Sequence, residues 1–361
     1  MRASARANAL LRAGILRAAD DGHVKRFMGR YGMRLGAARF VAGETLDECV
    51  VALRRLADQG LHANTTLLGE SIRDRAETEA VADEYGRIFE RLHAERLPVN
   101  VALKLTHLGL ELDEELAYTN VERVVRVAER VPSFVRIDME QSSVVDATLR
   151  IYRRLREAGH ERVGTVLQSY LFRTESDLES LLPLAPNLRF VKGAYLEPPE
   201  VAYSAKADVD AAYARLVEAS LRGGGYTAIA THDEALIGRC LGFAEREGIG
   251  RDRFELQMLY GVRPGLQLEL VRRGYKVLVA TPFGPEWYRT SCGGSPSGPR
   301  TSASSRGTSC GADPGRCPTE VGHVLGEPLM RARRTPRRGR GRGRSARGAR
   351  RAGREPGRRL P

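Results

Sequence analysis

The stretch FVRIDMEQSSVVDATLRIYRRLREAGHERVGTVLQS, residues 134–169, contains one complete unit of the fold. Phe134–Met139 is a short apolar, β-branched run, which favours a strand. A polar Gln-Ser-Ser break follows, and then Val144–Ala158 carries apolar residues at helical spacing. After Gly159, a second short apolar run, Val163–Ser169, reads as another strand. Two strands joined through a helix pair in parallel, because a parallel partner needs a crossover of a dozen or more residues.

The same grammar extends in both directions. Six more runs carry it: Leu61–Leu68, Val99–Leu105, Leu188–Ala194, Tyr226–Thr231, Phe254–Tyr260 and Lys276–Thr281, with helical segments such as Val121–Arg130 between them. Eight alternations in one domain predict a closed (βα)8 barrel of the TIM type rather than an open doubly wound sheet. No GxGxxG turn follows the first strand, which speaks against a dinucleotide-binding open sheet. Residues 1–60 form an N-terminal helical segment, with a helix starting near Thr45 and Glu48 placed for a capping box. This layer is expected to pack on the bottom or the side of the barrel.

The grammar stops after Tyr288. Residues 289–361 are rich in Arg, Gly, Ser and Pro, keep no apolar period, and are expected to be a disordered tail. The barrel, residues 61–288, therefore has an eighth strand with no helix after it. Charge divides at the same place: the tail holds 18 Arg and no Lys against four acids, a balance of +14 within a total of +13. Residues 1–288 thus sit at about −1, which leaves the globular part no electrostatic footprint for nucleic acid. The five cysteines, Cys49, Cys240, Cys292, Cys310 and Cys317, show neither disulfide nor metal-site spacing, and no metal is expected. No run is long and apolar enough to span a bilayer, and Arg2, Arg6, Arg12 and Arg17 break any signal-peptide core. A cytoplasmic location follows, with peripheral contact at the inner membrane left open.

Barrel enzymes take their chemistry from the C-terminal ends of the strands. Here those ends carry Lys104, then Asp138-Met139-Glu140, then Gln168, then Lys192-Gly193-Ala194-Tyr195, then Thr231-His232-Asp233, with Glu255, Gln257 and Tyr260 on the seventh run. Lysine is scarce, at five residues, and two of the five sit at these ends. Such a lysine serves as a Schiff-base nucleophile or as a fixed charge for an anion. Arg189 points inward at period two with Val191, and Gly193 permits close backbone approach. Gln168, Thr231 and His232 suit a heteroaromatic ring or a ribityl chain, while His232 taken alone reads equally well as structural.

At these residues the chain resembles the proline dehydrogenase family. The carriers are Arg39-Phe-Val-Ala-Gly-Glu44, Ala102-Leu-Lys104-Leu-Thr106, Val135-Arg-Ile-Asp138-Met-Glu140, Val166-Leu-Gln168-Ser-Tyr170, Leu188-Arg189-Phe-Val-Lys192-Gly-Ala-Tyr195, Ala230-Thr231-His232-Asp233 and Thr281-Pro-Phe-Gly284. The resemblance covers roughly residues 30–288. It implies non-covalent FAD, oxidation of L-proline to Δ1-pyrroline-5-carboxylate by hydride transfer from C5 to flavin N5, and a membrane quinone as electron acceptor. It further implies that Met139, Gln168, Arg189, Lys192, Gly193, Ala194, Thr231 and His232 hold FAD. Lys104 would bind the substrate carboxylate, Asp138 would act with Arg189 in the active site, and Tyr195 would wall the ring. The oligomeric state stays open.

Two departures stand out. Ala280 occupies the place of a tyrosine found in members of the family, and the paired arginines of a Y-x-x-R-R-x-x-E helix are missing after the last strand. Regrouping the codons of Arg289–Ser297 by one base permits Y-F-M-R-R-L-A-E, and the same frame permits a stop across Ala312-Asp313. A one-base frameshift in the coding sequence accounts for the tail, and the chain as written is then expected to be impaired. Two other classes compete with this reading: a nucleic-acid-associated protein using the Arg-Gly tail, and a Schiff-base barrel lyase using Lys192. The lyase leaves Gln168 and Thr231-His232 without a purpose.

Overall fold

The structure, a computed structural model, describes residues 39–69 and 71–287. The first 38 residues of the N-terminal segment, the missing helix after the eighth strand and the disordered tail all lie outside the described residues. Within them, eight strands close into one parallel barrel in chain order. They are β1 His62–Leu67, β2 Asn100–Leu103, β3 Val135–Ile137, β4 Val163–Gln168, β5 Asn187–Val191, β6 Tyr226–Ala230, β7 Phe254–Leu259 and β8 Val277–Phe283. The helices are α1 Leu46–Asp58, α2 Arg75–Ala94, α3 Glu114–Arg130, α4 Val145–Glu157, α5 Thr174–Leu181, α6 Lys206–Arg222, α7 Glu234–Arg246 and α8 Pro264–Arg272. All eight apolar runs are strands, so the (βα)8 reading holds.

Helix α1 begins where its sequence chemistry places it. The Thr45 hydroxyl accepts the Glu48 amide, and the Glu48 carboxylate accepts the amides of Glu44 and Thr45, which closes a capping box. Its buried face, Cys49, Val50, Leu53 and Leu56, lies against β1 and β8. Cys49 Sγ is 3.2 Å from Thr65 Oγ1 on the outer side of β1. This layer therefore packs on the side of the barrel, against β1 and β8. The segment before α1 is tied to the end of β8 as well: Ala42 donates to the Pro282 carbonyl, and the Trp287 indole donates to Glu44.

The inside of the barrel follows from register and tilt. Staying at one height around a tilted eight-stranded barrel requires adding one residue at each strand. Starting at Asn64, the register then passes Val101, Arg136, Thr165, Arg189, Ile229, Gln257 and Val279, and returns to Asn64. Side chains alternate between inside and outside. The odd strands thus contribute Asn64, Arg136, Arg189 and Gln257 to one interior layer, while Val101 and Ile229 belong to the apolar core around the barrel. One residue higher, the even strands contribute Ala102, Val166, Ala230 and Ala280. One residue lower they contribute Asn100, Gly164, Ala228 and Leu278. A polar layer between two layers of mostly small side chains leaves space at the C-terminal mouth, where a barrel places its site.

Candidate active site

Arg136 and Arg189 share a layer, and their guanidinium groups diverge. Arg136 turns downward, where Nη1 donates to the carbonyls of Thr165 at 2.9 Å and Asn187 at 2.7 Å, and Nη2 donates to Asn187 Oδ1 at 2.5 Å. Gly164 makes this path possible, since a Cβ there would lie 2.6 Å from Arg136 Nη1 and 2.4 Å from the Asn187 carbonyl. Burial, and next the charge of Arg189, lower the pKa of Arg136, and the three oxygen acceptors offset that cost. Arg189 turns upward instead, and its Nη1 lies 2.7 Å from Asp138 Oδ1. Both members of that pair are mostly buried, with side-chain exposures of 10% and 24%. The Nε of Arg189 is buried with no hydrogen-bond partner among the described residues.

Gln168 ends β4. Its Nε2 donates to the carbonyls of Met139 at 3.0 Å and Glu140 at 2.7 Å. Two carbonyls can only accept, so the amide nitrogen faces them and the orientation of the side chain follows. Its Oε1 is left buried without a partner among the described residues. Met139 itself is buried in the apolar core, and what it brings to this spot is its carbonyl. Glu140, also buried, accepts from the amide and hydroxyl of Thr106 at 3.1 and 2.6 Å, which joins the β3 and β2 ends.

His232 follows β6 and is a neutral ring. Its Nε2 accepts the Leu259 amide at 2.8 Å, so the ring proton sits on Nδ1. Burial, with a smaller contribution from Arg263, pushes its pKa down to about 4. Arg263 also donates to the His232 carbonyl at 2.8 Å and pairs with Glu234. The two readings of this histidine meet here: Nε2 secures the end of β7, and Nδ1–H is the ring's remaining donor. Thr231 Oγ1 accepts the Asp233 amide at 3.2 Å, and Asp233 caps α7.

Lys192 stands just past β5, with Nζ 2.6 Å from Asp210 Oδ1 and 3.3 Å from Asp233 Oδ2. Lys206 joins the same two carboxylates. Gly193 has φ +123°, and a Cβ there would lie 2.2 Å from the Tyr170 ring. Tyr170 therefore accounts for this glycine without any approaching ligand. Ala194 is exposed and Tyr195 half-buried on the loop between β5 and α6. Glu197 on that loop accepts from the Ser142 amide at 2.6 Å and hydroxyl at 2.5 Å, fastening it to the β3–α4 connection. Lys104 is half-buried at the start of the 3-10 turn Leu105–Leu108.

Lys104, Asp138, Gln168, Arg189, Lys192, Thr231 and His232 thus gather at one end of the barrel. Glu255 does not. It sits two residues below Gln257 on β7, 2% exposed, where it pairs with Lys276 at 2.8 Å and accepts from Gln257 at 2.6 Å and Tyr226 at 3.1 Å. Sequence reasoning missed Asn64, Asp210 and Glu197. A polar Asn-Thr-Thr inside the apolar run of β1 was a signal for the first, whereas nothing local marks the other two. Among the described residues there is no group of His, Cys, Asp and Glu placed to hold a metal, and no helix long and apolar enough to cross a membrane.

A closed parallel barrel whose polar groups converge at the C-terminal ends of its strands has the plan of a (βα)8 enzyme. A family profile described as Proline dehydrogenase matches residues 49–287. The chain is 44% identical over 283 residues to a proline dehydrogenase of Deinococcus radiodurans, covering 77% of this chain and 91% of that one. It is 39% identical over 279 residues to proline dehydrogenase 1 of Bacillus subtilis, covering 77% and 92%. A crystal structure of proline utilization A from Bdellovibrio bacteriovorus inactivated by N-propargylglycine superposes with a TM-score of 0.66 at 25% identity. That match covers 70% of this chain and 32% of the longer one. The chain belongs to the proline dehydrogenase family.

Proposed function

We propose that the barrel oxidises L-proline to Δ1-pyrroline-5-carboxylate, the first step of proline catabolism, with FAD as cofactor and a membrane quinone as the final electron acceptor. The observation that carries this reading is the buried Arg189–Asp138 pair beneath a mouth lined by small side chains, in a chain of this family. When bound, the flavin supplies the two-electron acceptor for the C5–H bond of proline.

The fit of such a group rests on polar atoms left over at the mouth. The orphaned acceptor Gln168 Oε1, the orphaned donor Arg189 Nε, the Nδ1–H of His232 and the Thr231 hydroxyl match a ligand that mixes donors and acceptors around a ring. Met139, Lys192, Gly193 and Ala194 complete the cofactor side. Lys104 draws in the substrate carboxylate as a point charge. Asp138 fixes Arg189 and biases protonation at the substrate amine, while Tyr195 walls the ring. Residues 61–288 form the catalytic barrel and residues 1–60 its supporting segment. The protein works in the cytoplasm, meeting the inner membrane peripherally to reach quinone. Residues 289–361 stand in place of an arginine-bearing helix through a shifted reading frame, so this chain oxidises proline poorly.

The test uses the full chain and a one-base-restored version, each scored for bound flavin by visible absorbance and for proline-dependent reduction of a dye acceptor. The restored version turns over faster at matched flavin content. A folded chain that takes up no FAD sinks the cofactor assignment. Equal turnover of the two versions sinks the arginine-clamp and reading-frame assignments.

A further inference from the structure

His232 is held at two points, its ring and its backbone. Its Nε2 accepts the Leu259 amide at 2.8 Å, and its carbonyl accepts Arg263 Nη1 at 2.8 Å. The two points are tied to each other. Gln267 of α8, 2% exposed, donates from Nε2 to the carbonyls of Leu259 at 3.0 Å and Val262 at 2.9 Å, and Val262 adjoins Arg263. One closed circuit of hydrogen bonds thus runs from the end of β6 through the end of β7 into α8 and back. Arg263 enters it in the left-handed region, at φ 50° and ψ 51°, where a non-glycine residue carries backbone strain. Two residues earlier, the same turn has Gly261 at φ +72°. If the turn needed only its shape, glycine would serve at position 263 as it does at 261. An arginine there is strained, and what it makes possible is contact: the guanidinium reaches the His232 carbonyl and pairs with Glu234 at the start of α7.

Under the function proposed above, on which this inference rests, His232 offers Nδ1–H to the flavin. That donor exists only while Nε2 is the acceptor, since a neutral imidazole carries one N–H. A fixed cation beside the ring opposes a second proton on it, and the bond to the carbonyl anchors the backbone from which the ring extends. We propose that Arg263 is a positioning residue for the cofactor: acting through His232, it fixes the tautomer and the place of the Nδ1–H donor. The strain at position 263 is then the local cost of a preorganised donor.

The test uses the full chain carrying Arg263→Gly, Arg263→Gln or Arg263→Lys, each stripped of flavin and titrated with FAD by fluorescence quenching. Melting temperatures are recorded beside it, and the His232 tautomer is read by NMR of nitrogen-labelled histidine. Arg263→Gly relieves the left-handed backbone, so it melts above Arg263→Gln. Both nevertheless bind FAD about tenfold more weakly than the parent, the size of one well-placed hydrogen bond. Both also lose the single Nδ1–H signature of His232. Arg263→Lys keeps the charge, so it retains the tautomer and loses less affinity. An Arg263→Gly chain with parental FAD affinity or parental tautomer overturns the inference alone, and leaves Arg263 as no more than the start of α8. FAD affinity that follows melting temperature across the three variants overturns it too, since a merely structural residue would give that result. A parent chain that binds no FAD removes the cofactor reading and this inference with it.

Discussion

Nη1 of Arg189 on β5 lies 2.7 Å from Oδ1 of Asp138 at the end of β3, an ion pair that spans the width of β4 inside the barrel. The two residues are 51 positions apart in the chain. Asp138→Ala strips the guanidinium of its charged partner in a mostly buried place. Losing a hydrogen bond between charged groups costs about 1.5 to 3 kcal/mol, and the orphaned cation adds to that. Denaturant unfolding of the variant is expected to show a loss of that size, with flavin uptake weakened in parallel. Parental stability and uptake together would remove the pair from the site's architecture.

His232 makes stability depend on pH. Its folded pKa is pushed down to about 4 from an ordinary 6.5, so the unfolded chain binds the proton more readily between those values. Stability is therefore full above pH 6.5 and falls as pH drops toward 4, by about 2 kcal/mol at pH 5 for this group alone. His232→Asn, which keeps an acceptor for the Leu259 amide, flattens that limb. Denaturation at pH 7 and pH 5 for both proteins checks this, and an equally steep limb in the variant would count against the assignment.

Gly193→Ala faces two obstacles at once: φ of +123° and a Tyr170 ring atom 2.2 Å from the new Cβ. A non-glycine residue in such a backbone region costs on the order of 1 to 3 kcal/mol before any clash. Destabilisation of at least that size is expected, and Tyr170→Ala in the same chain recovers the steric part. If the double variant is no more stable than Gly193→Ala, the ring is not the obstacle.

Lys276→Met leaves Glu255 buried without its cation. The Gln257 and Tyr226 bonds remain, so the loss is expected at roughly 2 to 3 kcal/mol rather than the full cost of a bare buried carboxylate. The sign for Glu255 is the usual one for a carboxylate: its pKa is lowered on folding, and its contribution is lost as pH falls through the folded value. Adding Glu255→Gln to Lys276→Met returns most of the loss at neutral pH, a result that a double-mutant cycle reads directly. A strictly additive cycle would show that the two groups do not interact.

The barrel was legible because its signals are local. Each strand advertises itself by a short β-branched run, each helix by its period, and α1 by a Thr45–Glu48 box that three hydrogen bonds then realise. The list of mouth residues was legible for the same reason, since a strand's C-terminal end can be found without knowing its neighbours. Lys104, Asp138, Gln168, Lys192 and His232 needed only that rule.

Pairing was another matter, because it depends on which layer a side chain occupies and which way a long one leans. Two arginines at equivalent depth, Arg136 and Arg189, diverge only because Gly164 opens a path to Asn187 for one and Asp138 meets the other. Glu255 belongs to a strand with mouth residues and still lies deeper in the barrel, paired with Lys276. At Gly193 a Cβ would meet the Tyr170 ring, a constraint that comes from a residue distant in sequence and that nothing local marks. The amino-acid sequence by itself determined eight strands, their parallel order and the end of the barrel where chemistry gathers, since periodicity and strand polarity are properties of short segments. Only the tertiary structure decided which of the interior polar groups satisfy one another and which, such as Asn64 and Gln168 Oε1, remain open, because that depends on the one-residue climb per strand that brings distant positions to the same height.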